Sequence, residues 1–371
     1  FELKFTPILA SSSMTLSPVF RSQDAVRLLE KHGVWTRLGS DVEAQAEAVR
    51  IVQADLRMLI AEQFLTEASH VPSAAEVTTP EGLHFLQEYF FLVLFRSIFA
   101  SIGVPEARLK LYTELNFCIK GTITAADNIF DDQAKTLLPL APNTGARFMS
   151  ILQLMSFERL SRRVLERGRV KEILNGTQCD AIQRELLDRM ALIGRLEGSE
   201  EKGVAEIPRP EVMLDHVHRI RGGDLFALAF AAPNVLEEGE LSERLSAAES
   251  AVAQLGTAFQ IVDDLTDFEV DVGRQSNNLL VSQIHHHGSN EEKAILSRLR
   301  AGEEAPEGLV ESNFLNSAGS VLDMAYSEAR AAFTGLADLG YWFDPSLAEQ
   351  VVHAIVGLDG VLRMDALVVG S

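Results

Sequence analysis

Apolar residues recur at helical spacing along most of this chain. In the second predicted helix, Ala48, Val52 and Leu56 fall on one face and form a stripe that a core would bury. No segment shows the alternation of apolar and polar residues that marks a half-buried strand. The pattern therefore predicts an all-α fold. The predicted helices cover residues 23–32, 41–68, 80–103, 106–132, 145–167, 171–196, 211–231, 241–271 and 314–339, with a last helix from 344.

The length and a linker predict one large helical domain with an N-terminal addition. The chain has 371 residues and 47% of them are hydrophobic, enough to bury a sizeable core. A Pro- and Ser-containing linker covers residues 69–79, and Thr79-Pro80-Glu81 then has the residue types of a helix start. We therefore expect an N-terminal part, residues 1–78, packed on a main helical domain, residues 79–371.

Composition narrows the partners and the location. The net charge of −20 argues against nucleic acid and against anionic membranes. Two cysteines give no disulfide framework and favour a reducing, cytoplasmic location. The most apolar run, 89–103, is interrupted by Arg96 and Ser97, so we expect a buried core helix and no stable membrane insertion. The sequence begins with Phe1, so it does not establish where the natural chain starts.

A row of carboxylates closes the helix predicted over 241–271. Asp263, Asp267 and Asp271 are spaced by four residues and so share one helical face, and Asp264 is adjacent. Like charges this close raise one another's pKa unless a cation lies among them. Hard carboxylate oxygens without nearby His or Cys favour Mg²⁺ over zinc.

A second acidic row lies upstream, at the end of the helix predicted over 106–132. Asp127 and Asp131 are one turn apart, and Asp132 follows directly. One such row alone is more often a solvated acidic face. Two rows facing each other across a helical cavity could hold several Mg²⁺ ions around one diphosphate.

These motifs resemble those of the class I isoprenoid synthases, which include trans-polyprenyl diphosphate synthases and class I terpene cyclases. That family carries Asp-Asp-x-x-Asp on two facing helices, and the chain reads Asp127-Asn128-Ile129-Phe130-Asp131 and Asp263-Asp264-Leu265-Thr266-Asp267. The two motifs start 136 residues apart (263 minus 127). Between them, residues 221–226 (Arg-Gly-Gly-Asp-Leu-Phe) are similar to the family's diphosphate-binding helix kink. The resemblance covers roughly residues 80–363.

The resemblance implies an isoprenoid synthase-type helical bundle with a central active-site cavity, and it assigns roles to residues. Mg²⁺, three ions in this family, would bind a ligand set drawn from both motifs: Asp127, Asp131, Asp132, Asp263, Asp264, Asp267 and Asp271. Arg221, and less directly Arg219 and Arg274, would grip the diphosphate of an allylic prenyl substrate, with Gln260 and Asn128 also at the substrate. The residues expected to be catalytic are Asp127, Asp131, Asp263 and Arg221. A homodimer is expected from the resemblance alone.

Which reaction follows ionisation is less clearly indicated. Chain-elongating members carry a basic motif near the N-terminus and an Arg-Arg pair after the first motif, and this chain has neither: only Lys135 follows Asp132 closely. This favours a one-substrate terpene synthase that ionises a prenyl diphosphate and then cyclises the cation or captures water. The alternatives are a prenyltransferase, head-to-tail or head-to-head, and a catalytically silent subunit.

Lys120 does not fit a purely hydrocarbon pocket. It precedes Asp127 by seven residues and so projects from nearly the same helix face, deeper in the expected cavity. Either it leans towards a neighbouring acid, or the helix register shifts at Gly121, or the substrate is not a plain hydrocarbon chain.

Overall fold

The computed structural model describes residues 23–66, 71, 82–130, 135–141, 145–306, 308–355 and 363–368. Within these ranges the chain is helical and contains no β-strand, only an isolated antiparallel bridge between Leu65 and Leu140. The expected all-α fold is confirmed. Asp131, Asp132 and the helix start at Thr79-Pro80-Glu81 lie outside the described residues.

The described residues of the N-terminal half form six α-helices and a 3-10 turn, Glu62–Phe64. Their bounds are α1 Gln23–Lys31, α2 Val34–Leu56, α3 Leu83–Ile102, α4 Glu106–Phe130, α5 Ala146–Val170 and α6 Gly176–Ser199. Gly103 ends α3 because it takes the left-handed conformation (φ 103°) that a side chain disfavours. Asn175 and Gln178 form a reciprocal capping box at the start of α6.

The C-terminal half begins with a short α-helix that continues into a π-helix and then into further helical segments. The bounds are α7 Pro210–Met213, the π-helix Leu214–Asp224, α8 Leu225–Ala227, a 3-10 turn Leu228–Phe230, α9 Ala231–Leu236, α10 Gly239–Thr266, α11 Phe268–Arg274, α12 Leu279–His287, α13 Asn290–Arg300, α14 Leu309–Asn313, α15 Leu315–Asp338 and α16 Ala348–Ile355. Asp344 accepts a hydrogen bond from the Ser346 amide and so caps the helical segment predicted to start at residue 344.

Three predicted segments differ from the structure. The helix predicted over 41–68 occupies Val34–Leu56, because Phe64 and Thr66 instead form backbone hydrogen bonds with residues 139–141. The helix predicted over 241–271 breaks at Asp267, whose backbone leaves the helical region (φ −96°, ψ 10°). Residues 275–313, where no helix was predicted, contain α12, α13 and α14.

A single apolar core runs from α1 to the C-terminal helices. α10 packs against α15 and the π-helix, α4 packs against α5, and α2 packs against α3 and α4. The N-terminal helices therefore share the core of the rest of the chain, and the proposed division near residue 78 stays a prediction. Helix α3 is long and apolar enough to cross a membrane, but 78% of its most apolar window is buried inside the protein, as expected for a core helix.

Candidate active site

The second acidic row keeps its helical spacing across the break between α10 and α11. The Asp267 amide donates to the Asp263 carbonyl (2.8 Å) and the Asp271 amide to the Asp267 carbonyl (2.9 Å), so the one-turn spacing continues through the junction. All three carboxylates line one large cavity of about 1020 Å³. The predicted common face is therefore present although the helix is interrupted.

Asp127, from the first acidic row, lines the same cavity. It is exposed, near the end of α4, and the cavity wall also includes Gln260 and Arg274, as expected. Asp131 and Asp132 lie outside the described residues, so their metal-binding role stays a prediction. Asp127, which is far from the second row in sequence, thus meets that row at one opening.

The neighbouring residue Asn128 does not line this cavity, where we expected it to contact substrate. It is buried (4% exposed), and its side chain pairs with the backbone of Lys135: Nδ2 donates to the carbonyl (2.7 Å), and Oδ1 accepts from the amide (3.1 Å). Asn128, the second residue of the first motif, therefore binds the backbone of the chain that follows the motif. A carboxylate could accept the amide hydrogen but could not donate to the carbonyl.

Arg221 reaches the cavity from the π-helix and is held by two carboxylates. Its Nε lies 2.7 Å from Glu197 Oε1, and its Nη2 lies 3.0 Å from Glu200 Oε1. Glu200 is buried and also accepts from the amide and the side chain of Asn277 (2.9 and 2.5 Å). The guanidinium is thus positioned at the cavity by two side chains, Glu197 and Glu200, that the sequence did not single out.

Arg219, also expected at the diphosphate, is placed elsewhere. Its side chain is exposed, does not line the cavity, and lies 4.0 Å from Asp215 on the same helix. Lys202, which the sequence did not single out, lines the cavity instead. The described cations of the cavity wall are therefore Arg221, Arg274 and Lys202.

The π-helix lies against α10 at two glycines. A Cβ on Gly222 would be 2.2 Å from the carbonyl oxygen of Gly256, and a Cβ on Gly256 would be 2.2 Å from that of Gly222. Only glycine permits this backbone contact. The approach brings Arg221 on one helix close to Gln260 and Asp263 on the other.

Asp264 has a different environment from the row beside it. It is 3% exposed, and its Oδ2 accepts from His218 Nε2 (2.8 Å) and from the Leu279 amide (2.5 Å). Asp264 borders the cavity, but these contacts commit its carboxylate to the protein. Its predicted metal-binding role stays untested, whereas a structural role is visible.

The pKa values of two carboxyls in the acidic row, Asp263 and Asp271, are raised. The pKa of Asp263 is raised from 3.8 to about 8, first by loss of surrounding water and then by Asp267, Asp264 and Asp271, while Arg221 opposes the rise. The pKa of Asp271 is raised to about 7, again first by burial, although its hydrogen bond from Asn278 (2.9 Å) lowers it. Asp263 remains open to the cavity mouth, so a bound cation could reach it.

A smaller apolar cavity of about 230 Å³ adjoins the acidic opening. The two share wall residues Asp127, Ile123, Leu225 and Leu228. Three phenylalanines, Phe91, Phe95 and Phe226, line the smaller cavity, and the rings of Phe91 and Phe226 are 4.7 Å apart. The site therefore joins a carboxylate-rich mouth to a phenylalanine-lined interior.

Lys120 borders this apolar cavity and leans towards an acid, as one of the predicted alternatives required. Its Nζ lies 3.1 Å from Glu88 Oε1, and Lys135 Nζ lies 3.0 Å from the same oxygen. Burial lowers the pKa of Lys120, although Glu88 opposes the shift. Two ammonium groups and one carboxylate thus form a cluster with one surplus positive charge, which the sequence did not reveal because Glu88 is on α3.

The donor chemistry of the cavity fits Mg²⁺. Oxygen ligands in an acidic row whose pKa values are raised would be stabilised as anions by a hard cation. Among the described residues, no three His, Cys, Asp or Glu side chains are gathered closely enough to enclose an ion by themselves. Mg²⁺ in proteins is usually bound by one or two carboxylates, with water and substrate phosphate oxygens completing its coordination.

Comparison with known proteins places this arrangement in a known fold. Similar crystal structures include a decaprenyl diphosphate synthase from Rhodobacter capsulatus (TM-score 0.52, 18% identity, 85% of this chain and 99% of that chain). A geranylgeranyl pyrophosphate synthase from Lactobacillus brevis gives a TM-score of 0.54 at 13% identity, over 84% of this chain and 96% of that chain. The chain has the class I isoprenoid synthase fold.

A third similar structure is a polyprenyl synthase from Caulobacter crescentus complexed with calcium and isoprenyl diphosphate (TM-score 0.50, 17% identity, 86% of this chain and 98% of that chain). No protein-family model matches the sequence, and no curated protein matches it. The isoprenoid synthase fold expected from the motifs is therefore confirmed at the level of structure.

Proposed function

We propose that this protein is a Mg²⁺-dependent isoprenoid synthase that ionises an allylic prenyl diphosphate to a carbocation and releases diphosphate. One observation carries the proposal: Asp127 and the row Asp263, Asp267 and Asp271 line one cavity that continues into an apolar interior. The isoprenoid synthase fold supports it, and the Caulobacter structure holds an isoprenyl diphosphate.

The described residues that would hold the metal are Asp127, Asp263, Asp267 and Asp271, with Asp131 and Asp132 as further candidates. Bound Mg²⁺ would neutralise the negative charge that develops on the departing diphosphate. Arg221 would donate N–H groups to the same phosphate oxygens, and Glu197, its more exposed partner, would have to yield its place. Lys202 and Arg274 would add positive charge at the cavity wall.

The hydrocarbon tail and the cation would occupy the apolar cavity. The faces of Phe91 and Phe226 carry negative potential and no reactive group, so they would stabilise a passing carbocation. Their packing also keeps water from the tail. The cavity supplies the two requirements of this chemistry, charge neutralisation at one end and a dry pocket at the other.

Transfer of the prenyl group to a second diphosphate substrate is the fate of the cation that we favour. The Lys120, Lys135 and Glu88 cluster gives a second cationic locus beside the apolar cavity, which the sequence had appeared to lack. The similar structures named above are diphosphate or polyprenyl synthases. Cyclisation or water capture remains the second candidate, because Glu88 cancels one of the two lysine charges.

A product analysis tests the proposal and separates its branches. Purified protein would be incubated with Mg²⁺ and geranyl, farnesyl or geranylgeranyl diphosphate, each with and without isopentenyl diphosphate, and pyrophosphate release and products measured. Longer prenyl diphosphates only with both substrates would support transfer, whereas hydrocarbons or alcohols from one substrate would support cyclisation or water capture. No pyrophosphate from any mixture would favour a catalytically silent subunit. The expected homodimer and cytoplasmic location stay predictions.

A further inference from the structure

A buried histidine and aspartate join the two helices that build the diphosphate end of the site. His218 in the π-helix is 1% exposed and Asp264 in α10 is 3% exposed, and His218 Nε2 lies 2.8 Å from Asp264 Oδ2. His218 follows Met213 by five residues and precedes Arg221 by three. The sequence motifs did not identify His218, because a single histidine in a helix does not indicate a particular role.

Both ring nitrogens of His218 face acceptors. Nδ1 lies 3.1 Å from the Met213 carbonyl, which can only accept, and Nε2 faces the Asp264 carboxylate. The pair therefore holds a proton on each nitrogen when Asp264 is ionised. Burial lowers the pKa of His218, but Asp264 and the Met213 carbonyl together outweigh it, so the net shift is upward.

Asp264 extends this link to the segment that follows the acidic row. Its Oδ2 also accepts from the Leu279 amide (2.5 Å), and its carbonyl accepts from Asn278 Nδ2 (2.7 Å). Asn278 in turn donates to Asp271 (2.9 Å) and caps α12 through the amides of residues 280 and 281. The buried pair is thus continuous with the hydrogen bond that holds Asp271, at the far end of the row.

We propose that His218 is a positioning residue of the metal–diphosphate site: through Asp264 it fixes the helix that carries Arg221 against the turn that carries Asp263. The inference rests on the proposed function. Asp264 and Asp263 are adjacent on a helix, so a carboxylate held inward at 264 sets the rotation that directs residue 263 to the cavity. Removing His218 would take the imidazole partner from a buried carboxylate that the Leu279 amide would still hold, so Asp264 could turn towards the cavity and compete for the cation.

The test compares three variants with the wild-type protein by Mg²⁺-dependent binding of pyrophosphate in titration calorimetry. His218→Leu should weaken pyrophosphate binding at least tenfold. His218→Gln, whose side-chain amide can still donate to Asp264, should recover a substantial part of that loss. His216→Gln is the matched control, since His216 lies in the same π-helix but is exposed, and its affinity should stay within twofold of wild type.

A second readout needs no metal. The Leu279 amide donates a hydrogen bond to Asp264. Hydrogen exchange at this amide should be faster in His218→Leu than in the wild-type protein, and the increase should be smaller in His218→Gln. Should His218→Leu lack a cooperative unfolding transition, His218→Asn, whose amide is too short to span to Asp264, takes its place with the same expectations.

The outcomes separate the two proposals. A wild-type protein that does not bind Mg²⁺–pyrophosphate would overturn the proposed function and this inference with it. Wild-type binding together with unchanged affinity in folded His218→Leu, or in folded His218→Asn, would overturn the inference alone. Equal losses in the Leu and Gln variants would also count against it, because a positioning hydrogen bond should be partly rescued.

Discussion

The contact between Gly222 and Gly256 allows a sharp test of how helix spacing controls the site. A Cβ at residue 256 would lie 2.2 Å from the Gly222 carbonyl oxygen and 2.9 Å from the Phe226 ring. Ordinary van der Waals contact begins at 3.4 Å, so the approach is 1.2 Å too close (3.4 minus 2.2). The two nearest atoms, the carbonyl oxygen and carbonyl carbon of Gly222 (2.2 and 2.7 Å), are backbone and cannot turn aside as a flexible side chain can. Gly256→Ala must therefore separate the π-helix from α10.

This separation should affect stability modestly and activity strongly. Inserting one methyl group into a packed contact costs about 1–3 kcal/mol, which lowers the unfolding temperature by a few degrees in a chain of this size. A displacement of about 1 Å between Arg221 and Asp263, however, can reduce the rate by roughly 100-fold. We expect the larger effect in pyrophosphate release from an allylic prenyl diphosphate and the smaller one in thermal unfolding.

The control is Gly319→Ala, in α15, where an added Cβ meets nothing within 4 Å. Alanine there should be neutral or should stabilise the helix by up to about 1 kcal/mol. The reasoning is refuted if Gly256→Ala matches Gly319→Ala in both unfolding temperature and pyrophosphate release. A large loss of stability with full activity in the folded fraction would show that the helix contact matters for folding and not for the site.

Three further predictions address charges in the cavity. Arg221→Lys should lower the rate of pyrophosphate release by about 10²–10³-fold, because an ammonium group cannot make the forked contact of a guanidinium with phosphate oxygens. Arg219→Lys, outside the cavity, should leave the rate unchanged, and equal effects of the two substitutions would refute the assignment. Lys120→Met should abolish products that require isopentenyl diphosphate while pyrophosphate release from the allylic substrate alone persists; loss of both would place Lys120 in the ionisation step instead. The third prediction concerns pH: because the pKa values of Asp263 and Asp271 are raised, the metal-free folded state binds more protons than the unfolded state between about pH 4 and 8. The protein should therefore lose stability as pH rises across that range, which would be measured as a falling urea midpoint. Asp263→Asn should flatten this dependence, Asp323→Asn on an exposed face should not, and an unchanged slope in Asp263→Asn would contradict the assigned pKa.

The sequence predicted what depends on local periodicity and charge. The spacing at 263, 267 and 271 determined a common face even though the helix breaks at Asp267, because the one-turn hydrogen bonds continue. The run 89–103 was predicted as a buried helix because Arg96 interrupts it, and Arg96 pairs there with Asp41 and with Glu106. Such features are set within a few turns of chain.

The sequence could not predict what depends on distant partners. Asn128 was expected at the substrate, but it pairs with the backbone of Lys135, seven residues later, a contact that no sequence motif indicates. Glu88 lies on another helix from Lys120, and no spacing rule connects them. Arg219 and Arg221 differ by two residues, and the π-helix directs one to solvent and the other to Glu200.

The arrangement of charges explains why the site should be stable only with its ligands. The Asp263 and Asp271 pKa values are raised, so the acidic row costs free energy whenever it is fully ionised and no cation is present. Arg221 cannot relieve this repulsion fully, because Glu197 and Glu200 already pair with its guanidinium. A metal–diphosphate would remove both mismatches at once: the cation would neutralise the row, and the phosphate oxygens would compete with Glu197 for the guanidinium. Binding should therefore be coupled to proton release, since carboxyls that are partly protonated near pH 7 must ionise to bind the metal.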